Sequence, residues 1–399
     1  MKIVINAASA KMGGAVSYIE SLLCQLSADA EGVQFLVLLP PATAATIESP
    51  GWNIRLLPVT IGHAGLLKRL WWEQVTLRRF LKKQKIDVLF STSNFAMFFC
   101  PVRQLLLVRN ALYFSNLYRE MFLRRHSLQY RLAFALRRWL ISRSARAADV
   151  VMTPTRAMLD ELRRHVKVKN AVVNPYGVAP PELPAKDGMA TILSGALPRV
   201  VRLLFVSLYS EHKNLRTLLD ALAILNAGTE TRFKLTTTAD PTWAGAAWTV
   251  THKEDIRLAR TAGIAEHVDF VGPLSREKTD CLYAAAGIFV FPSLTESFGF
   301  PLAEAMSNGL PILAADTPVN REVCGEAAAY FDPLSAADLA GRLLSLATDS
   351  ALCRQLGVRG REEAVRRFCW GAHARRIIEA ASCRSPQPVP DYQVSPIAQ

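Results

Sequence analysis

The sequence predicts an α/β protein built from two doubly wound parallel sheets. Short apolar runs alternate with helical stretches along the whole chain, which is the pattern of βαβ units. The runs are continuously apolar, as strands buried on both faces require, rather than alternating. At 399 residues the chain is also too long for one ordinary core, and two cores of roughly 180 residues are the natural division.

In order, the strands of the first series read Ile3–Ile5, Phe35–Leu39, Ile54–Pro58, Val88–Ser91, Gln104–Val108 and Val150–Thr153. The second series reads Val201–Val206, Arg232–Thr236, Val268–Val271, Ile288–Phe291 and Pro311–Ala314. Helical stretches lie between them, among them one starting near Val16, Leu215–Leu225 and Arg276–Ala286. A Pro-, Gly- and Ala-rich linker at 183–198 divides a first domain, 1–182, from a second, 199–383, and the Pro-rich residues 384–399 read as a disordered tail.

Half of the residues are hydrophobic and a fifth charged, so the chain has ample core. The seven cysteines are scattered and odd in number, which fits a reducing cytoplasm and argues against a disulfide framework or a structural zinc site. The apolar start MKIVINAAS is too short for a signal peptide, and no apolar run approaches ~18 residues. A cytoplasmic protein is expected. Its charge is uneven: residues 1–180 carry +15 and the remainder −2, so the two halves should face different partners.

The most informative segment is FPSLTESFGFPLAEAMSNGLPILAADTPVNREVCGEAAAYFDP, from Phe291 to Pro333. Glu296 and Glu304 are separated by seven residues. Between them Ser297-Phe298-Gly299-Phe300-Pro301 forms a turn leading into a helix. Glycine lets backbone approach a ligand, proline suits the first helical turn, and amides at a helix start seat phosphate or sugar hydroxyls. Two carboxylates, one in the loop and one a turn into the helix, would reach different diols of one extended ligand.

With its Pro-Ser run, Phe-Gly turn, Glu-Ala-Met step and Gly-Leu-Pro, this segment resembles the signature of the family 4 retaining glycosyltransferases. The resemblance implies the GT-B fold, in which two Rossmann-like domains face each other across a cleft. It also implies that the donor rests on the second domain and the acceptor on the first, with the last helix packing back on the first domain. By the same resemblance Glu296 binds sugar hydroxyls and Glu304 the ribose. Leu274 lies in the Phe270-Val271-Gly272-Pro273-Leu274 turn, which resembles the one whose backbone reads the nucleobase.

Lys213, in the Tyr209–Asn214 loop after a second-series strand, is placed to neutralise a diphosphate near a helix N-terminus. Relatives often add an arginine a few residues earlier. Here that stretch is Ser207-Leu208-Tyr209. Gly13 and Gly14 sit where the first strand meets a helix, so their amides can approach an anion, and the missing GxGxxG spacing argues against NAD. Arg109 and Asn110 follow a strand at a position where many relatives carry a histidine. They are candidates for acceptor or sugar contact and equally for a structural strand end.

The expected chemistry is transfer with anomeric retention by front-face attack, the leaving diphosphate being stabilised by Lys213 and backbone amides. No cofactor and no metal are expected. The expected partners are a nucleotide-diphosphate sugar and a glycan or lipid-linked acceptor, in assembly of a surface polysaccharide or lipopolysaccharide. In the basic first half, Leu66, Leu70, Leu77 and Leu81 on one helical stripe read as core packing, while Lys68, Arg79, Lys82 and Lys83 opposite them and an arginine-rich stretch over Arg119–Arg146 point to an anionic membrane surface, with no nucleic-acid module. Two rival readings remain: a GT-B phosphorylase or sugar-phosphate synthase, and an inactive nucleotide-sugar-binding scaffold.

Overall fold

A computed structural model describes the chain except residues 12, 30–31, 48–50, 180–198, 247, 262–263 and 383–399. The expected linker at 183–198 and tail at 384–399 therefore lie outside the described residues.

The strands form two all-parallel sheets. The first holds β1 (Lys2–Asn6), β2 (Gln34–Leu39), β3 (Ile54–Pro58), β4 (Val88–Ser91), β5 (Arg103–Leu107), β6 (Val150–Thr153) and β7 (Ala171–Val173). Its order is β3-β2-β1-β4-β5-β6-β7. The second holds β8 (Val200–Phe205), β9 (Arg232–Thr237), β10 (Val268–Phe270), β11 (Ile288–Phe291), β12 (Ile312–Ala315) and β13 (Ala329–Phe331). It runs β10-β9-β8-β11-β12-β13, a doubly wound order in which the winding reverses between β8 and β11. Ile3, Val4, Ile5, Phe289, Val290 and Phe291 are all inaccessible to solvent, as central strands covered on both faces must be.

Contacts divide the chain into two units. The first comprises Met1–Arg109, Trp139–Pro175 and the chain from Trp370 onward; the second comprises Asn110–Arg138 and Tyr176–Cys369. Residues 110–138 thus group with the second unit, although the sequence alone places them within 1–182. The reason is apolar: Tyr118, Phe122 and Phe134 share one buried cluster with Leu294, and Val250 packs against it.

The helix Trp370–Ser382 is part of the first unit. Its buried His373 accepts from Tyr18 Oη at Nε2 (3.0 Å) and donates from Nδ1 to the Pro175 carbonyl (2.9 Å). Asn174 Nδ2 donates to the His373 carbonyl at 3.1 Å. Burial holds the His373 imidazole down at about 4, so the ring is neutral at physiological pH.

In the helical run from Leu66 to Lys83, Leu77 and Leu81 are buried core residues, while Lys68, Arg79, Lys82 and Lys83 are exposed. A π-helical turn, Glu73–Leu77, interrupts that run. It brings Glu73 to Arg69 (3.1 Å) and to Asn6 at the end of β1 (3.3 Å). Burial pushes the Glu73 carboxyl up, against the pull of Arg69.

Candidate functional site

The carboxyl ends of β8 and β11 flank the winding reversal of the second sheet, the place where open α/β sheets take ligands. After β8 the chain forms a one-turn 3-10 helix, Glu211–Lys213, and then Asn214 in left-handed conformation (φ 59°). Asn214 Nδ2 donates to the carbonyls of Pro292 (3.1 Å), just after β11, and Pro333 (2.8 Å), just after β13, which ties the β8 loop to both. Leu294 N donates to the His212 carbonyl at 2.9 Å and adds a second tie.

These ties bring Lys213 and Glu296 together. Lys213 Nζ stands 2.5 Å from Glu296 Oε1, and both side chains are mostly buried. Lys213 Nζ also lies 5.9 Å from the Phe291 ring centroid. His212 is half-buried, its Nδ1 2.8 Å from Ser210 Oγ, and burial together with neighbouring Lys213 drives its basicity down. Arg216, three residues beyond Lys213, is held by Asp255 (3.0 Å) and Glu254 (2.6 Å). It does not fill the place of the arginine absent from Ser207-Leu208-Tyr209. Tyr209 instead donates to Asp255 at 2.6 Å.

Beyond Glu296 the Ser297–Pro301 turn packs through its aromatics. Phe298 is buried and meets Tyr176, Phe300 and Phe368 edge-on. Gly299 has φ 81° and caps the helix Phe300–Ser307, with Pro301 in its first turn. A Cβ on Gly299 would come within 3.2 Å of Leu302 Cδ1, so the turn has both a conformational and a steric need for glycine.

Glu304, in that helix, is partly buried and doubly engaged: Arg276 Nη1 donates to Oε1 at 2.5 Å and Tyr283 Oη to Oε2 at 2.9 Å. Burial raises the carboxyl, opposed chiefly by Arg276. Arg276 and Tyr283 escaped the sequence reading. Their signal is the i, i+4, i+7 stripe of Arg276, Asp280 and Tyr283 on the helix Arg276–Ala285, where Arg276 also bonds Asp280 at 3.0 Å. Leu274 is half-buried in the turn that follows β10, two residues after Gly272.

Gly13, Gly14 and Arg109 belong to the first unit and Asn110 opens the second unit's portion. Gly13 has φ 59° and precedes the helix Gly14–Asp29. Arg109 N donates to Asn94 Oδ1 (2.8 Å) and its guanidinium lies 5.6 Å from the Tyr18 ring centroid. Asn110 Oδ1 accepts from Leu112 N at 3.2 Å and so caps the 3-10 turn Ala111–Tyr113. Among the described residues no group of three or more His, Cys, Asp or Glu is placed to hold a metal ion.

Two family models divide the chain between them. Residues 12–182 match Glycosyltransferase Family 4, and residues 199–363 match Glycosyl transferases group 1. Both models are of glycosyltransferases, and each covers less than half of the chain. Lys213, Glu296, Phe298, Gly299 and Glu304 all fall inside the group 1 match. The chain is similar to the O-antigen chain mannosyltransferase B of Escherichia coli, with 29% identity over 179 residues, 44% of each protein. The chain spans less than half the length of the curated relatives it first matches. Its GT-B fold is shared with the sucrose-phosphate synthase of Thermosynechococcus elongatus (TM-score 0.73, 19% identity, 94% of this chain and 97% of that one). It is shared as well with Anabaena HepE in complex with UDP-glucose (TM-score 0.70, 18% identity, 96% and 99%).

Proposed function

We propose that the chain is a retaining hexosyltransferase that moves a sugar from a nucleotide-diphosphate sugar to a glycan or lipid-linked acceptor in surface polysaccharide assembly. The observation that carries this reading is the Lys213–Glu296 pair at the winding reversal of the second sheet, inside the group 1 match. Lys213 supplies positive charge to the diphosphate and Glu296 hydrogen-bonds sugar hydroxyls beside it. The amides of Phe298 and Gly299 at the start of the helix Phe300–Ser307 serve the same anion. Glu304, steadied by Arg276 and Tyr283, takes the ribose diol, and Leu274 borders the base. The nucleotide sugar in complex with HepE and the O-antigen role of the Escherichia coli relative point to the same donor class and acceptor class.

In the transfer, the bond from the anomeric carbon to the diphosphate oxygen breaks and its electron pair leaves with the phosphate. The acceptor oxygen attacks the same face, and its proton passes to the departing phosphate oxygen. The protein's part is electrostatic, through Lys213 and backbone amides, with no metal required. Glu296 and Glu304 are therefore binding groups, not a glycosidase pair flanking one bond.

No described helix is long and apolar enough to cross a membrane. Contact with an anionic membrane is proposed through the helix Leu128–Ala147. Leu128, Leu132, Leu136 and Trp139 form one exposed stripe at i, i+4, i+8 and i+11, and Arg131, Arg137 and Arg143 on the same helix are exposed.

The test is calorimetric titration of UDP, GDP, ADP, CMP and dTDP without metal, followed by transfer assays with the matching nucleotide sugars on membrane extract. Selective binding of one nucleotide and transfer to a lipid-linked product are expected. Turnover only with inorganic phosphate or a small sugar phosphate would mark a phosphorylase or synthase. Binding without turnover would mark a scaffold.

A further inference from the structure

The 3-10 turn that presents Lys213 begins with a buried acid that the donor site does not use. Glu211 is 3% exposed and lies two residues before Lys213. Its Oε1 accepts from Tyr118 Oη at 2.5 Å and from His126 Nε2 at 2.7 Å, and its Oε2 accepts from the Val250 amide at 2.9 Å. A carboxylate only accepts, so the tyrosine and the imidazole both donate to it. The Tyr118 hydroxyl keeps its proton: burial, then the Glu211 hydrogen bond, pushes its ionisation far up.

The three donors come from separate stretches. Tyr118 is in the helix Asn116–Met121, His126 follows the turn Leu123–Arg125, and Val250 lies beyond β9. The first two belong to the 110–138 segment, which the first half of the sequence lends to the second unit. Around this polar centre the contacts are aromatic. His126 stacks on Tyr130 at 3.9 Å, and Tyr118 stacks on Phe134 at 5.7 Å and meets His212 edge-on at 6.3 Å. Leu294, in the same apolar cluster, is two residues from Glu296. One buried carboxylate therefore sits where the 110–138 segment, the Val250 stretch and the Lys213 turn converge.

We infer that Glu211 is a positioning residue for Lys213: by gripping Tyr118, His126 and the Val250 amide it sets the turn from which Lys213 meets the donor diphosphate. The inference rests on the donor site proposed above. It extends that site to Tyr118 and His126, which come from the first half of the sequence. A buried, hydrogen-bonded acid of this kind fixes one arrangement, because any other leaves a charge unsatisfied.

The experiment compares nucleoside diphosphate with monophosphate. UDP and UMP, GDP and GMP, and ADP and AMP are titrated into wild type, Glu211→Gln, Tyr118→Phe, Lys213→Ala and the Glu211→Gln/Lys213→Ala double variant, with the melting temperature of each recorded. In Glu211→Gln the diphosphate affinity should fall about tenfold and the monophosphate affinity by less than about twofold, since only the diphosphate reaches Lys213. Tyr118→Phe, which removes one hydroxyl from an intact ring, should show the same bias to a smaller degree and serves if Glu211→Gln does not fold. On a Lys213→Ala background, Glu211→Gln should cost nothing further, because its effect passes through Lys213. Equal weakening of mono- and diphosphate, or additive losses in the double variant, would reduce Glu211 to a structural residue and overturn the inference. Wild type that binds a diphosphate, with all three single variants unchanged, would overturn it as well. Wild type that binds no diphosphate at all would fail the donor reading itself, and the role of Glu211 would fall with it.

Discussion

Lys213 Nζ and Glu296 Oε1 lie 2.5 Å apart although 83 residues separate them in sequence. They meet because β8 and β11 are adjacent in the second sheet, and each residue rides on the loop that leaves its strand. A cation and an anion held side by side at a strand-end crevice can address the two chemically distinct parts of a sugar nucleotide.

Removing either end of the proposed donor site, Lys213 or Glu304, should be readable by calorimetry. Lys213→Ala should weaken diphosphate binding by about 10- to 100-fold, the worth of a partly buried charge-assisted bond, and lower transfer with it. Glu304→Ala should instead weaken nucleoside and nucleotide alike, through the ribose. Full activity of both variants on a lipid-linked acceptor would refute the donor site.

The turn at Gly299 gives a stability prediction. Alanine there must hold φ 81° and meet Leu302 Cδ1 at 3.2 Å. Gly299→Ala should destabilise the chain by about 1–2 kcal/mol and weaken diphosphate binding, since the helix start it shapes would shift. An unchanged melting temperature would show that the turn relaxes without cost.

His373 predicts an acid limb of the stability curve. Its basicity is lowered in the folded state, from 6.5 to about 4, because the neutral ring is buried. The unfolded chain then binds the extra proton first. Stability from this residue is complete above about pH 6.5 and is lost as pH falls towards 4, by about 3 kcal/mol in all. In urea titrations at several pH values, His373→Gln should be less stable than wild type at pH 8, and the gap should close by pH 4. A gap independent of pH would exclude the buried neutral imidazole as the cause.

For the exposed stripe, Leu132→Ser with Trp139→Ser should reduce co-sedimentation with vesicles of anionic phospholipid by about tenfold while leaving nucleotide affinity unchanged. Raised salt should weaken what remains, because the arginines contribute through screened charge. Equal pelleting of variant and wild type would remove the membrane reading.

Much of this was legible in the sequence, for identifiable reasons. The central strands read clearly because burial on both faces leaves an unbroken apolar run, as in Ile288–Phe291 and Val150–Thr153, whose bounds agree between sequence and structure. The strands β7 and β13 did not, being three-residue sheet-edge strands with half-exposed side chains. Glu304 stood out as a candidate from the segment around Glu296, yet its partners Arg276 and Tyr283 lie on another helix, and a contact of that range leaves no local trace. Asn110 read as a ligand contact or a strand end with equal justice; the structure shows its side chain capping the next turn. Residues 110–138 misled most. Nothing in their arginine-rich composition says which sheet they join, because that depends on where Tyr118, Phe122 and Phe134 find apolar partners.

That segment also governs how the chain can be recombined with its relatives. The chain passes between the two units at 109–110, 138–139, 175–176 and 369–370. A hybrid made by a single splice between the halves would therefore inherit Glu211 from one parent and its Tyr118 and His126 from the other, and it would part Trp370–Ser382 from Tyr18. A viable exchange of the second half would have to carry 110–138 with it and leave Trp370–Ser382 with the first, a mosaic and not a simple splice.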